Sequence, residues 1–306
     1  MYRKARVAGQ FYPGSRSELL QELKDRFSMA RAEHLPGAEA LNDTGKAVST
    51  ADAEHIGEES RLVGIIAPHA GYMFSGMQAA KAYRHLQGRR FRRVCVLSPS
   101  HYDYFEGISI YGGEGYETPL GRVDMDTEAR TLLLEHGLAV SGEAGHRREH
   151  ALEVQIPFLQ YVLGETFLLT PLVMGAQGPS EIRRMEEAVS LLMKFFGPEI
   201  LFVGSTDLSH FHSESQAADL DGRVIRHIAA MDADALERDL AQGAAEACGG
   251  GPVTALLRVF SRLEGVQCLP LGYSHSGMVI PDRSSVVGYT SALIIQKPNA
   301  AGEEIQ

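Results

Sequence analysis

Apolar positions along the 306-residue chain fall into short blocks that alternate between two periods. Leu62-Val-Gly-Ile-Ile-Ala67 is a continuously apolar run, the pattern of a strand buried on both faces. Arg93-Val-Cys-Val-Leu97 repeats it, and 105–111, 167–174, 200–204, 266–273 and 285–295 read as further strands. Between them the period lengthens. Leu19, Leu20, Leu23 and Phe27 lie at helical spacing after Ser15 and Ser17, either of which can cap a helix. Over 75–86, Met77, Ala80 and Tyr83 share a face. Asp126 is placed to cap a helix over 126–136. Residues 151–163 read as helical, with Pro157 early in the helix or kinking it. Helices over 180–196, 219–231, 233–242 and 252–263 complete the pattern. Alternating strands and helices predict an α/β fold, a mixed central sheet with helices on both faces. Segment 32–60 breaks the pattern. It is rich in Ala, Gly, Glu, Asp, Ser and Thr with almost no aromatic or β-branched anchors. It reads as a flexible surface insertion in a single domain over 1–306, because its flanks need a common core.

Composition narrows the function classes. Hydrophobic residues make up 44% and charged residues 22%, as in an ordinary globular chain. Lys plus Arg is 29 against 39 Asp plus Glu, a net charge of −10, and the one short basic cluster, Arg89 to Arg93, leads into a strand. Nucleic-acid binding and attraction to anionic membranes are therefore not expected. Three cysteines without a CxxC pair make neither a disulfide framework nor a zinc ribbon, and suit a reducing cytoplasm. No run approaches the ~18 apolar residues needed to span a bilayer, and the first 15 residues lack the apolar stretch of a signal peptide.

The twelve histidines change the picture more. The strand ending at Ala67 runs into Pro68-His69, the one ending at Leu97 into Ser98-Pro-Ser-His101, and the one ending at Val203 into Gly204-Ser-Thr-Asp207-Leu-Ser-His210. Ligands of open α/β sheets bind outside the carboxyl ends of strands, so three strands each deliver an imidazole to that edge. Imidazole is the commonest neutral metal ligand. Cys248, just before Gly249-Gly-Gly-Pro252, is a candidate soft donor at a helix entrance, where the dipole favours thiolate. Gly249 to Gly251 could also receive an anion there. Asp207 and His210 share a loop and are candidate acid/base or ligand-supporting groups. Glu149 and Glu153 lie four apart, on one face of a helix, with His150 a quarter turn away. Each residue has a plainer reading: His69 as a turn histidine, Cys248 as a small buried residue, Glu149 and Glu153 as helix-capping carboxylates. Cys95 and Cys268 read as core. His34, His55, His85, His136, His146, His212 and His227 read as surface or loop residues, and His275 as an outside candidate for the same edge. No GxSxG, GxxxxGK[ST] or HExxH motif is present.

Six ordered motifs carry a resemblance. Val7-Ala-Gly-Gln-Phe-Tyr-Pro13, Ala67-Pro-His-Ala-Gly-Tyr72, Ser98-Pro-Ser-His101, Glu149-His-Ala-Leu-Glu-Val-Gln155, Ser205-Thr-Asp-Leu-Ser-His210 and Cys248-Gly-Gly-Gly-Pro252 together resemble the Memo family, known in bacteria and archaea as AmmeMemoRadiSam system protein B. The resemblance implies the fold of class III extradiol dioxygenases (LigB-like). In those enzymes two histidines and a carboxylate hold non-haem iron, and in Memo proteins a cysteine takes the carboxylate position. Carried over, the metal ligands are His69, His101 and Cys248, with Asp207, His210, Glu149 and His150 as catalytic pocket residues. Two imidazoles and a thiolate suit iron, copper or zinc. The implied function is redox or oxygen-dependent chemistry on a small substrate. The alternative is a non-enzymatic protein that binds metal or a peptide ligand, accessory to radical SAM and AMMECR1-like partner proteins. The chain departs from bacterial relatives after Gly277, where it lacks the usual acidic residue.

Overall fold

The apolar runs at 62–67 and 93–97 become the strands Arg61–Ala67 and Arg93–Pro99, and the strand Ile200–Ser205 lies between them. The computed structural model describes residues 1–32, 60–164 and 166–298. Apart from its end residues, Ala32 and Ser60, the expected 32–60 insertion lies outside them, as do His34 and His55. Among the described residues, nine strands form the main sheet. Its central four, Arg61–Ala67, Ile200–Ser205, Arg93–Pro99 and Leu168–Met174, run parallel. Antiparallel strands flank them: Val286–Gln296 beside Arg61–Ala67, and Ile108–Tyr111 beside Leu168–Met174. The sheet is therefore mixed, and its central strands are buried on both faces, which is why they carry no polar alternation. A smaller three-stranded sheet joins Tyr2–Arg3 to the hairpin Gly115–Thr118 and Gly121–Asp124.

Strand alternation divides the helices. At Gly204 a side chain would point at Val253 and Leu256 of the helix Gly250–Phe260, while the next residue, Ser205, turns its hydroxyl to Gln155 at the start of the helix Gln155–Leu163. The helix Pro179–Phe196 packs on the first of these helices, and Arg16–Ala32 and Tyr72–Tyr83 pack on the second side.

Several local readings need correction. Residues 151–154 are a turn, so the helix expected from 151 begins at Gln155; Pro157 sits in its first turn, where its missing N–H costs no helical bond, and does not kink it. Glu149, His150 and Glu153 therefore do not share a helix at all. The helix expected over 75–86 starts earlier, at Tyr72, and that over 219–231 starts at Glu214, where Ser213 caps it. Asp126 caps Thr127–Glu135 as its position suggests, accepting from the Ala129 amide. His146 is no surface residue. It is buried, and its Nδ1 is hydrogen-bonded with the Tyr116 hydroxyl at 2.7 Å. Cys95 and Cys268 are core residues.

Candidate metal centre

Because the four central strands are parallel, their carboxyl ends meet at one edge. Each ends in a turn there, and the turns carry His69, His101 and the loop 205–210. The turn at 149–154 closes over the same place. It brings a third imidazole, and the ligand atoms of His69, His101 and His150 all lie within 4.8 Å of one another. The rings of His101 and His150 are 4.6 Å apart, and His69 meets both edge-on at 5.2 and 5.6 Å. His69 is buried, His150 half-buried and His101 exposed. No ion is part of the structure; whether the side chains fit one follows from their hydrogen bonds.

His101 Nδ1 lies 2.9 Å from Glu149 Oε1. An ionised carboxylate only accepts, so Nδ1 carries the proton and Nε2 keeps a lone pair. Glu149 is suited to this. Burial works against its charge, but the hydrogen bond with His101 and the amides of Ala151 and His101 hold its pKa below the ordinary value. At His69 the acceptor is Ser205. The Ser205 hydroxyl donates its one proton to the Ala151 carbonyl at 2.7 Å and accepts from Gln155 Nε2 at 2.8 Å. Gln155 is itself oriented, since its Oε1 accepts from the Tyr83 hydroxyl and its Nε2 also donates to the Pro68 carbonyl. With its proton spent, Ser205 Oγ can only accept from His69 Nδ1, 2.9 Å away. His69 is therefore the Nδ1–H tautomer as well. Two imidazoles with Nδ1 tied to acceptors and Nε2 bare is the arrangement that prepares histidines for a metal.

Cys248 approaches from the His69 side, its Sγ 3.0 Å from His69 Nε2. Burial first, and then the charge of Asp207, pushes its thiol up, while the Asp207 amide opposes that by donating to Sγ at 3.2 Å. Burial thus works against the thiolate that the helix entrance favours. His69 is held neutral mainly by burial and then by the imidazoles around it. Without metal the shared proton stays on sulfur, and S–H points at the bare Nε2. A metal held by His69 and Cys248 would replace that proton.

Asp207 braces the first histidine turn. Its Oδ1 accepts the His69 amide at 2.7 Å and the Ala70 amide at 3.3 Å. Burial raises its pKa from 3.8 to about 7, against the pull of those two amides. His210 lies on the same loop with Nδ1 bonded to the Leu208 carbonyl at 2.8 Å, which again turns Nε2 outward. His150 is held neutral by burial, its pKa lowered to about 4, and its buried Nδ1 has no hydrogen-bond partner. His275 does not join this edge; it pairs with Glu214 at 3.2 Å.

Glycines 249–251 do not form an anion site. The Gly249 amide donates to Thr206 Oγ1, that of Gly250 to the Ala247 carbonyl and that of Gly251 to Gln177 Oε1. They are glycines because the loop packs too closely for side chains: a Cβ on Gly249 would lie 2.1 Å from the Ser205 carbonyl oxygen. The contact presses the Cys248 loop onto the end of the strand Ile200–Ser205, whose last residue accepts from His69.

The N-terminal motif also enters the site. Glu153, buried, accepts from the amides of Arg6 and Val7, the Tyr12 hydroxyl and Arg3 Nη1. Arg3 in turn donates to the Glu149 carbonyl at 2.7 Å. The clamp sets Phe11 against the His150 ring at 4.8 Å. Ser205, Gln155 and Phe11 were not singled out by the sequence reading, although each lies inside one of the six motifs. A polar residue buried next to an apolar strand, such as Ser205, was the available signal.

Two cavities reach the centre, and His210 lines both. One, of about 460 Å³, opens beside Cys248 and Gly251. The other, of about 520 Å³, opens beside His150 and Asp207.

Comparison with known proteins agrees with the motif pattern. The family model described as Memo-like protein matches residues 3–293. A MEMO1 family protein of Nitrosopumilus maritimus is 32% identical over 94% of this chain and 98% of its own length. One from Methanothermobacter thermautotrophicus is 34% identical over 94% and 99%, and one from Methanobrevibacter smithii 33% over 96% and 99%. A solved structure of an uncharacterized protein from Escherichia coli K12 aligns with TM-score 0.41 and 14% identity, over 75% of this chain and 99% of that one.

Proposed function

The chain belongs to the Memo family, and on that footing we propose that it is a metal-binding protein in which His69, His101 and Cys248 hold an iron or copper ion for redox or oxygen-dependent chemistry on a small substrate. The observation that carries the reading is the pair of imidazoles locked by Glu149 and Ser205 with their Nε2 atoms bare, within reach of a third imidazole. The donor set fits: two neutral imidazoles and a sulfur suit iron, copper and zinc, and zinc would leave the centre redox-silent. A bound ion would supply Lewis acidity and, for iron or copper, electron transfer.

The chain's own groups have separate tasks. Glu149 and Ser205 hold the tautomers, and Asp207 fixes the turn that carries His69. His150, kept neutral by burial, lines the cavity beside Asp207, where its ring would face a substrate. His210 stands between the two cavities with its Nε2 available to accept a proton.

The test is metal analysis of anaerobically purified protein for iron, copper and zinc, followed by cobalt(II) substitution. Wild type should hold about one ion, and His69→Ala with His101→Ala should lose it. The cobalt protein should show a thiolate charge-transfer band that Cys248→Ser removes. Metal content unchanged in the double histidine variant refutes the centre. A cobalt protein without the thiolate band, whose metal is lost in His150→Asn, makes the site a three-imidazole one instead.

A further inference from the structure

The cavity beside His150 has a wall composition that restricts its occupant. Phe11 and Phe74 line one side, and Phe211, Val287 and Tyr289 the other. At about 520 Å³ it lies in the ordinary range of small-molecule sites. Phe211 is the most unusual member. Its ring is 77% exposed, and its backbone is left-handed, with φ of 64°. A bulky residue is costly in that region. The irregularity between His210 and His212, where the strand pairs with Val286–Gln296, is what turns Phe211 outward over the cavity.

Charge is the second restriction. Among the described residues no Lys or Arg lines this cavity. Asp282 does, at its rim, and hydrogen bonds from the Ser284 hydroxyl and amide hold its carboxyl below the usual range, so it is a full anion at neutral pH. The neighbouring cation, Arg283, is engaged with Glu214 at 3.1 Å. The cavity on the other side of His210 likewise has no Lys or Arg in its lining among the described residues; its two glutamates, Glu237 and Glu246, are paired with Arg258 and His212. In the metal-free protein an anionic ligand would find no lysine or arginine in either lining, and in the cavity beside His150 it would meet Asp282.

We propose that the cavity bounded by Phe11, Phe74, Phe211 and Tyr289 binds a small cationic ligand with an aromatic ring: the ring stacks on Phe211 and the ammonium group pairs with Asp282. This deepens the reading of His69, His101 and His150 as a metal centre, since the inner end of such a ligand would reach the imidazoles. The ring walls and the rim carboxylate do not themselves depend on the metal.

Three indoles of matched shape test it on the full chain: tryptamine, tryptophol and indole-3-acetate, titrated by calorimetry into metal-free and zinc-loaded protein. Tryptamine should bind tightest in both. Its advantage over tryptophol should be about three- to five-fold, the scale of an exposed ion pair, and should vanish in Asp282→Asn. Phe211→Ala should weaken all three by roughly two- to ten-fold, the loss of one ring contact. Both side chains are exposed, so unchanged thermal stability and metal content show that each variant is intact. The proposal is overturned if indole-3-acetate binds the metal-free protein as well as tryptamine does. It is equally overturned if no indole binds, or if Asp282→Asn leaves the preference intact. Failure of the metal centre would appear separately, in the metal content of wild type, with the indole ranking in metal-free protein unaffected.

Discussion

Replacing Ser205 by alanine is the most informative perturbation of the centre. The hydroxyl is fully buried and takes part in three hydrogen bonds, at 2.7, 2.8 and 2.9 Å. Its loss leaves His69 Nδ1–H without an acceptor, so the ring no longer prefers the tautomer with a bare Nε2. Groups that orient a ligating histidine typically cost 10- to 100-fold in metal affinity when removed, about 1.4 to 2.7 kcal/mol. The same change strands an N–H of Gln155 and the Ala151 carbonyl in a dry interior. Unmet partners of this kind cost roughly 1–3 kcal/mol each in stability. Two assays separate the effects. Chelator competition with zinc reads affinity, and urea unfolding of the metal-free protein reads stability. A third reads the premise directly: nitrogen-15 NMR of the imidazoles in metal-free wild type should place the His69 proton on Nδ1. Zinc affinity within two-fold of wild type in Ser205→Ala, or a wild-type His69 protonated on Nε2, would refute the reasoning.

Other consequences follow from the same contacts. Glu153→Ala removes the partner of a buried Arg3 and frees the N-terminal segment; breaking a buried pair this way costs about 3–5 kcal/mol, so the urea midpoint should fall sharply, whereas an unchanged midpoint would show that the clamp contributes nothing. His146 is pushed down from 6.5 to about 3, by burial first and then by the Arg3 guanidinium. Its folded pKa lies below its unfolded one, so the neutral form favours the fold: the contribution is complete above pH 6.5 and drains away as pH falls toward 3, by up to about 1.4 kcal/mol per pH unit. Urea unfolding at pH 7, 5 and 4 should show a shallower decline in His146→Gln than in wild type, and identical slopes would rule out His146 as a source of acid sensitivity. Gly249→Ala places a Cβ against the Ser205 carbonyl and should displace the Cys248 loop; a cobalt protein with wild-type thiolate absorption would contradict that.

The main elements were legible because their signals are local. A continuously apolar run that stops at a proline or small polar turn marks a buried strand and its end together, and so His69, His101 and His210 could be placed at one edge. The spacing of Asp126 to Ala129 is likewise a local cap. What could not be read depends on partners far along the chain. Nothing near Glu149 tells that its acceptor oxygens serve His101, 48 residues earlier, and nothing near Glu153 points to Tyr12, 141 residues away. Spacing suggested a shared helix face; a turn satisfies both carboxylates better. Gly249 to Gly251 looked like an anion cradle because their amides precede a helix, but close approach to Ser205 and Thr206 explains them. At Cys248 the helix dipole was visible in the sequence, and the burial that opposes it was not.

The span between His69 and Cys248, 179 residues, bears on when the protein could acquire the proposed metal. During synthesis His69 and His101 emerge long before the sulfur, and before the strand Ile200–Ser205 whose last residue fixes His69. A nascent chain thus offers an ion only scattered, mobile imidazoles. On the proposed reading, loading would wait until the parallel strands have assembled, so that bound metal would mark completed folding, and the loaded protein would gain resistance to unfolding with the logarithm of the free metal concentration.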